Sequence, residues 1–134
     1  MWIKYTGILY LIIVLHAEIN ENIMKKFAYT FPILTEKTEE WLNFVKEMNT
    51  TRKLEFTAMH ARIGVTKESW YLQKTEFGHD VVIYTEAKDE KFMENFKNDN
   101  SEFSQWFRCE VVKLQDINLN TKIVMPKLVL DWTE

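Results

Sequence analysis

Two titratable side chains, His60 and Glu86, occupy positions where they could move protons. His60 lies between the end of a predicted long helix and the next predicted strand. From there its imidazole could reach the open face of a sheet and act as a general base or an axial metal ligand. The alternative is a histidine on the flank of the helix, hydrogen-bonded to a neighbour.

Glu86 ends a predicted strand, where a carboxylate among aromatic side chains could have a raised pKa suited to proton transfer. The alternative for Glu86 is an ion pair with Arg62 or with a lysine at the end of the sheet.

A second group of side chains could hold a substrate. Tyr71, Gln73 and Tyr84 could line a pocket and donate hydrogen bonds to an aromatic or polyketide-like ligand. They could equally be interface residues of a dimer, which we favour. Trp70 and Trp106 complete the predicted substrate-binding set, although tryptophans at such spacing are more typical of a core.

Metal and cofactor patterns are missing from the sequence. The histidines other than His60 are His16 and His79, and the one cysteine is Cys109, so no His, Cys and carboxylate cluster has metal-ligand spacing. No glycine-rich phosphate loop or other catalytic signature is present. We therefore predict no metal and no cofactor. A single cysteine also fits a reducing compartment, which predicts a cytoplasmic protein.

Composition restricts the class of protein further. The chain has 134 residues, 46 % of them apolar, with 3 Gly and 2 Pro, which is typical of one globular domain rather than of a disordered chain. Its formal charge of −3 makes nucleic acid an unfavourable partner. The apolar run at residues 7–15 is too short to cross a membrane, so no stable membrane insertion is expected.

Residues 1–23 are predicted to be a leader or an upstream extension outside the fold, and residues 24–134 a single domain. Lys4 ahead of the apolar run is compatible with a signal peptide, but Leu15 stands where cleavage needs a small residue. The alternative is that Met24, followed by Lys25 and Lys26, is the natural start.

The elements that would position these side chains follow from the hydrophobic period. Residues 27–33 alternate as a strand, and residues 37–63 carry a helical stripe that we expect to kink or break at Asn49, Thr50 and Thr51 and to stop at Gly64. Residues 68–75 and 80–87 form a hairpin signal. Two helical pieces and a closing strand at 127–132 come next.

Pairing within the hairpin assigns its two faces. Partner numbers that sum to 155 place Tyr71 opposite Tyr84 on one face. The other face then holds only apolar side chains and is suited to receive helices; these are Trp70, Leu72, Val81 and Ile83.

The order strand, helix, strand, strand, helix, strand predicts an α+β domain with the ferredoxin-like βαββαβ topology. Its four-stranded antiparallel sheet would carry both helices on one face. The other face would remain open, and an exposed patch of that size is typical of an interaction surface. We therefore expect a homodimer that packs sheet on sheet.

Several segments resemble the dimeric α/β-barrel superfamily, and in particular its antibiotic-biosynthesis monooxygenase-like proteins. They are residues 59–73 (MHARIGVTKESWYLQ), 84–87 (YTEA), 106–107 (WF) and 131–132 (DW). Relatives tend to carry proline before the hairpin glycine, where Glu76 and Phe77 stand here. The resemblance implies a dimeric barrel, but it does not imply one activity, because that superfamily includes oxygenases, isomerases and proteins without known chemistry.

The leading hypothesis is a homodimer that binds a small hydrophobic or aromatic molecule and acts as a cofactor-independent monooxygenase or isomerase. His60 and Glu86 would handle protons, and the pocket side chains would orient the substrate. The alternative is a non-catalytic dimeric ligand-binding or stress-associated module. Haem binding, which depends on His60 and on the resemblance alone, ranks third.

Overall fold

The computed structural model describes residues 23–134 together with Ile8 and Leu11. The described chain holds three strands and four helices. In chain order they are β1 (Lys25–Ile33), α1 (Thr38–Asn49), α2 (Lys53–Ile63), β2 (Val65–Thr75), β3 (Gly78–Ala87), α3 (Phe92–Asn98) and α4 (Glu102–Leu114). The prediction that residues 1–23 lie outside the fold concerns a segment that is almost entirely outside the described residues.

The three strands form one antiparallel sheet in the order β1-β3-β2. Tyr29 of β1 pairs with Ile83 of β3, and Ile83 pairs with Trp70 of β2. Since strand side chains alternate, Phe27, Tyr29, Phe31 and Ile33 of β1 share one face with Thr85 of β3 and Glu68 of β2. The helices cover this face, which we call the inner face.

The predicted break in the long helix is confirmed. α1 ends at Asn49 and α2 begins at Lys53, with Thr50 N–H bonded to the Glu47 carbonyl at 3.2 Å. Asn and Thr form helices weakly, and the Thr50 hydroxyl competes for the backbone by donating to the Lys46 carbonyl. α2 stops at Gly64, whose φ of 84° is open to glycine without the steric cost of a Cβ.

An aromatic layer fills the space between helices and sheet. Its ring centroids lie 5.2–6.1 Å apart, within the range of favourable aromatic pairs. The rings belong to Trp41, Phe44, Phe56, Trp70 and Phe107. This layer holds the helices at a fixed distance above the inner face, which matters for the cavity described below.

The predicted four-stranded ferredoxin-like βαββαβ fold is wrong. Residues 127–132 are extended in pattern but join no ladder, so the sheet keeps three strands, and no further strand follows α3 and α4 in the described chain. The segment passes β1 with Asp131 bound to Lys26 at 3.0 Å, while Leu130 and Trp132 remain 81 % and 76 % exposed. Alternating apolar residues make a strand only where a neighbouring strand satisfies their backbone groups, and residues 127–132 show no such pairing.

The predicted hairpin register is also corrected. The loop consists of Glu76 and Phe77, because Thr75 pairs with Gly78, so Tyr71 lies opposite Val82 instead of Tyr84. A shift of two residues keeps every side chain on its predicted face. The prediction that Trp70 and Ile83 face the helices is therefore confirmed, but this face is not uniformly apolar, because Glu68 and Thr85 also lie on it.

The described part of the chain includes no helix that is both long enough and apolar enough to cross a membrane.

Candidate functional site

A small cavity lies between the inner face of the sheet and the helices. Its volume is ≈ 60 Å³. Its walls are aliphatic and aromatic except for the Glu68 carboxylate, the Tyr29 hydroxyl and the Gln115 amide; the remaining lining residues are Phe31, Met59, Ile63, Trp70, Ile83, Phe92, Met93, Phe96, Phe107, Val111 and Ile117. An apolar cavity of about 150 Å³ holds the six carbons of benzene, so this one fits a smaller molecule, of about two or three carbons, unless side chains move. Met59 and Met93 are flexible enough to allow that movement.

Glu68 is the one charged side chain in the cavity wall, and only 13 % of it is exposed. Its Oε1 accepts a hydrogen bond from Trp70 Nε1 at 2.6 Å, and its Oε2 accepts one from Thr85 Oγ1 at 3.4 Å. Because the single Thr85 proton goes to the carboxylate, the Tyr29 hydroxyl donates to Thr85 Oγ1, 2.9 Å away. A buried carboxylate is costly unless it is hydrogen-bonded, and these donors lower that cost.

His60 closes the polar cluster on the side of α2. Its Nδ1 lies 2.8 Å from the Phe56 carbonyl oxygen, which can only accept, so Nδ1 carries a proton. Its Nε2 lies 3.5 Å from Glu68 Oε2, an ion-pair distance that is long for a hydrogen bond. A neutral ring protonated at Nδ1 would direct its Nε2 lone pair at the carboxylate, so the geometry favours the imidazolium.

The electrostatics of His60 and Tyr29 agree with these roles. Burial by itself would lower the pKa of His60, but the Glu68 carboxylate and the Phe56 carbonyl outweigh it, and the net pKa is raised. Burial raises the pKa of Tyr29 strongly, and the charge of Glu68 raises it further against the opposing hydrogen bond to Thr85. Tyr29 is therefore a hydrogen-bond donor at neutral pH, and His60 remains cationic to a higher pH than usual.

A groove on the outer surface meets this cluster from the other side. Glu68 and His60 both line it, together with Phe56, Thr57, Ala61, Gly64, Val65, Thr66, Lys67 and Lys88. Glu68 thus stands in the walls of both the inner cavity and the outer groove.

The structure does not bring the two predicted proton-transfer residues together. His60 lies on the helix side of the sheet, whereas Glu86 lies on the opposite face, where it accepts a hydrogen bond from the Tyr84 hydroxyl at 3.1 Å. His60 does not reach the open face because α2 packs over the inner one. The hydrogen bond to a neighbour that we considered as the alternative for His60 is present, at the Phe56 carbonyl. Arg62 does not pair with Glu86, since its guanidinium binds Asp99 at 3.0 Å.

The predicted substrate-binding residues are also divided. Trp70 lines the cavity and donates to Glu68. Tyr71, Gln73 and Tyr84 lie on the opposite face, as their strand positions dictate. Trp106 lies outside the cavity, where its ring packs near Phe44 and Phe103 beneath the Arg52 guanidinium.

Sequence reasoning missed Glu68, Tyr29 and Thr85 as members of a site. A signal for Glu68 was present, because it shares its period-two position with Trp70 and Leu72 and is therefore an acid on an otherwise apolar strand face. The roles of Tyr29 and Thr85 depend on the pairing of three strands, which single-strand periodicity does not show.

A haem does not fit these residues. The cavity is far smaller than a porphyrin, and both ring nitrogens of His60 already face other groups, so an iron ligand would have to displace Glu68 or the Phe56 carbonyl. Among residues 23–134, no group of three or more His, Cys, Asp or Glu side chains is arranged to hold a metal ion.

No protein-family model matches the chain, and searches of the curated proteins and of the solved structures found no match.

Proposed function

We propose that this protein binds a small apolar molecule in the cavity and transfers a proton between that molecule and the Glu68 carboxylate. The observation that carries the proposal is the placement of one carboxylate in a mainly apolar wall whose other polar groups, the Tyr29 hydroxyl and the Gln115 amide, are neutral. A carboxylate has about four acceptor sites, and Trp70 and Thr85 donate hydrogen bonds to two of them, while His60 Nε2 lies at an ion-pair distance of 3.5 Å. The remaining acceptor sites are available to a ligand in the cavity.

In this proposal His60 is a positioning residue. Its Nε2 forms an ion pair with the Glu68 carboxylate on the side of the groove, and its Nδ1 donates a hydrogen bond to the Phe56 carbonyl of α2. Tyr29 acts on Glu68 indirectly: its hydroxyl donates to Thr85 Oγ1, and Thr85 donates to the Glu68 carboxylate. Proton transfer to or from carbon is the chemistry of isomerases, and the first step of several cofactor-independent oxygenations, so these are the two reaction classes we propose.

Deuterium exchange into a compact carbon acid tests the proposal. Cyclopentanone is small enough to enter once Met59 and Met93 shift, and its α-hydrogens exchange when a base removes them. We expect the wild-type protein to catalyse its deuteration in D₂O. Glu68→Gln should reduce the rate about 100-fold or more, the usual contribution of a general base. Glu86→Gln, the same substitution on the opposite face, is the matched control and should exchange at the wild-type rate.

Equal rates for the wild type and Glu68→Gln would remove the proton-transfer role. If cyclopentanone shifts the methyl resonances of Met59 and Met93 without any exchange, the non-catalytic binding module becomes the better description. That second function is favoured by one observation: Tyr29, His60, Glu68 and Thr85 each make at least one hydrogen bond within the protein.

We also propose that the chain forms a homodimer through the open face of the sheet and is cytoplasmic. Tyr71 is 61 % exposed at the middle of that face, and the apolar segment 128–132 lies exposed beside β1, so pairing would remove both from water. The cytoplasmic location is supported by the single cysteine, Cys109, which is not engaged in a disulfide.

A further inference from the structure

The cavity and the groove are separated by the thickness of one side chain. Glu68 lines both spaces, and His60, which is 14 % exposed, lines the groove beside it. A ligand that occupies both spaces at once would therefore lie against the Glu68 side chain.

The groove is positively charged at this point. Lys67 and Lys88 lie in its wall, both side chains are exposed, and neither makes a salt bridge within the described chain. The backbone N–H of Lys88 donates a 2.9 Å hydrogen bond to the Gly64 carbonyl, which fixes the backbone position from which the Lys88 side chain extends. The carboxylate of Glu68 is the one acidic group of the groove, and it is already held by His60 and by neutral donors.

The C-terminus of α2 also faces the groove and would disfavour an anion through its carbonyl groups. Three carbonyls at this end of the helix are engaged, however. His60 O accepts from Gly64 N–H, Ile63 O accepts from the Asn95 amide, and Gly64 O accepts from Lys88 N–H. The lysine charges therefore dominate the field in the groove.

We infer that the ligand is a small carboxylic acid with a compact apolar tail. The tail enters the cavity past His60 and Glu68, and the carboxylate remains in the groove between Lys67 and Lys88. This inference rests on the proposed function, because it names the class of molecule that the cavity would receive. The tail is limited to about two or three carbons by the volume of ≈ 60 Å³.

Two isosteric probes test the inference on the full-length protein. Butanoate and butanamide have the same three-carbon tail and differ in charge. Binding is followed by NMR through the methyl groups of Met59 and Met93, which line the cavity, so a shift there reports entry of the tail. The variants are the double substitution Lys67→Gln with Lys88→Gln, and Lys74→Gln at the distant end of β2 as the control.

We expect the acid to bind the wild type about 25-fold more tightly than the amide at low salt, since each of the two lysines at about 4 Å in water contributes a factor of about five. The preference should shrink with added salt, disappear in the double variant and persist in Lys74→Gln. Affinity of the amide should be the same in all three proteins.

Three results would overturn the inference, and they are distinguishable from one another. If acid and amide bind with equal affinity and both shift the Met59 methyl resonance, the ligand need not be an anion, but the cavity remains a binding site. Lysine-dependent binding without shifts at Met59 or Met93 means that the carboxylate binds only at the surface. Shifts from neither probe remove both the inference and the proposed binding function.

Discussion

Removing the charge of His60 or of Glu68 is the most direct perturbation of the cluster. Glu68→Gln keeps an oxygen acceptor for the Trp70 indole but removes the charge that faces the imidazolium. His60→Gln removes the cation and keeps a polar side chain of similar reach. Together with the double variant they form a double-mutant cycle, which isolates the interaction between the two residues.

The expected magnitude follows from the distance and the burial. At 3.5 Å and an effective dielectric constant of about 20, the gross attraction between the two charges is about 4–5 kcal/mol. The side chains are only 14 % and 13 % exposed, so screening by water is small, but the cost of desolvating both charges cancels most of this attraction. We expect a coupling free energy of about 1–2 kcal/mol and, for Glu68→Gln alone, a loss of unfolding free energy of about 2 kcal/mol.

The coupling should depend on pH in one direction. The pKa of His60 is raised in the folded protein above its ordinary value of 6.5. The pair therefore contributes its full stability below about pH 6.5, where histidine is protonated in both the folded and the unfolded chain, and loses it as pH rises through the folded pKa. Above that pH the Nε2 lone pair faces the carboxylate and the coupling falls to zero or becomes unfavourable.

Urea unfolding of the four proteins, followed by tryptophan fluorescence at pH 6 and pH 9, measures this. For a domain of this size, 2 kcal/mol corresponds to a shift of the urea midpoint by about 1 M. A coupling near zero at pH 6, or the same coupling at both pH values, would refute the assignment of an imidazolium bound to Glu68.

Two further predictions concern other parts of the molecule. If the open face is the dimer interface, light scattering should give the wild type twice the chain mass of 16.2 kDa and Tyr71→Glu the chain mass, while Leu54→Glu, at an 86 % exposed position on α2, should remain dimeric; a monomeric wild type would exclude the interface. The Arg52 guanidinium lies 3.7 Å from the Trp106 ring centroid, so Arg52→Ala should cost about 1 kcal/mol of unfolding free energy. The same substitution in a Trp106→Leu background should cost less, with the remainder due to the Arg52 contacts with Glu47 and Phe103, and an unchanged cost there would show that the Trp106 ring is not the partner.

Local features were the most predictable part of the fold. The helix break at Thr50 and Thr51 and the stop at Gly64 follow from helix propensity and from the conformational freedom of glycine, which act within a few residues. The faces of the hairpin strands were predictable even though the register was not, because a shift of two residues leaves the alternation intact.

Long-range pairing was not predictable. Residues 127–132 have the alternation of a strand, but a strand also needs a neighbouring strand edge whose backbone groups it can bond. Here the contact with β1 is the side-chain hydrogen bond between Asp131 and Lys26. The prediction failed because periodicity describes one segment, whereas a ladder is a property of two.

The division between sequence and tertiary structure is sharpest at the two glutamates. The sequence by itself placed Glu86 and Glu68 on opposite faces. Glu86 is two residues from Tyr84 and Glu68 is two residues from Trp70, and in an alternating strand residues two apart share a face. It did not reveal which face would enclose a cavity. That was decided when α2 packed over the inner face and brought His60 to 3.5 Å from Glu68, a contact that depends on helix placement rather than on any spacing in the chain.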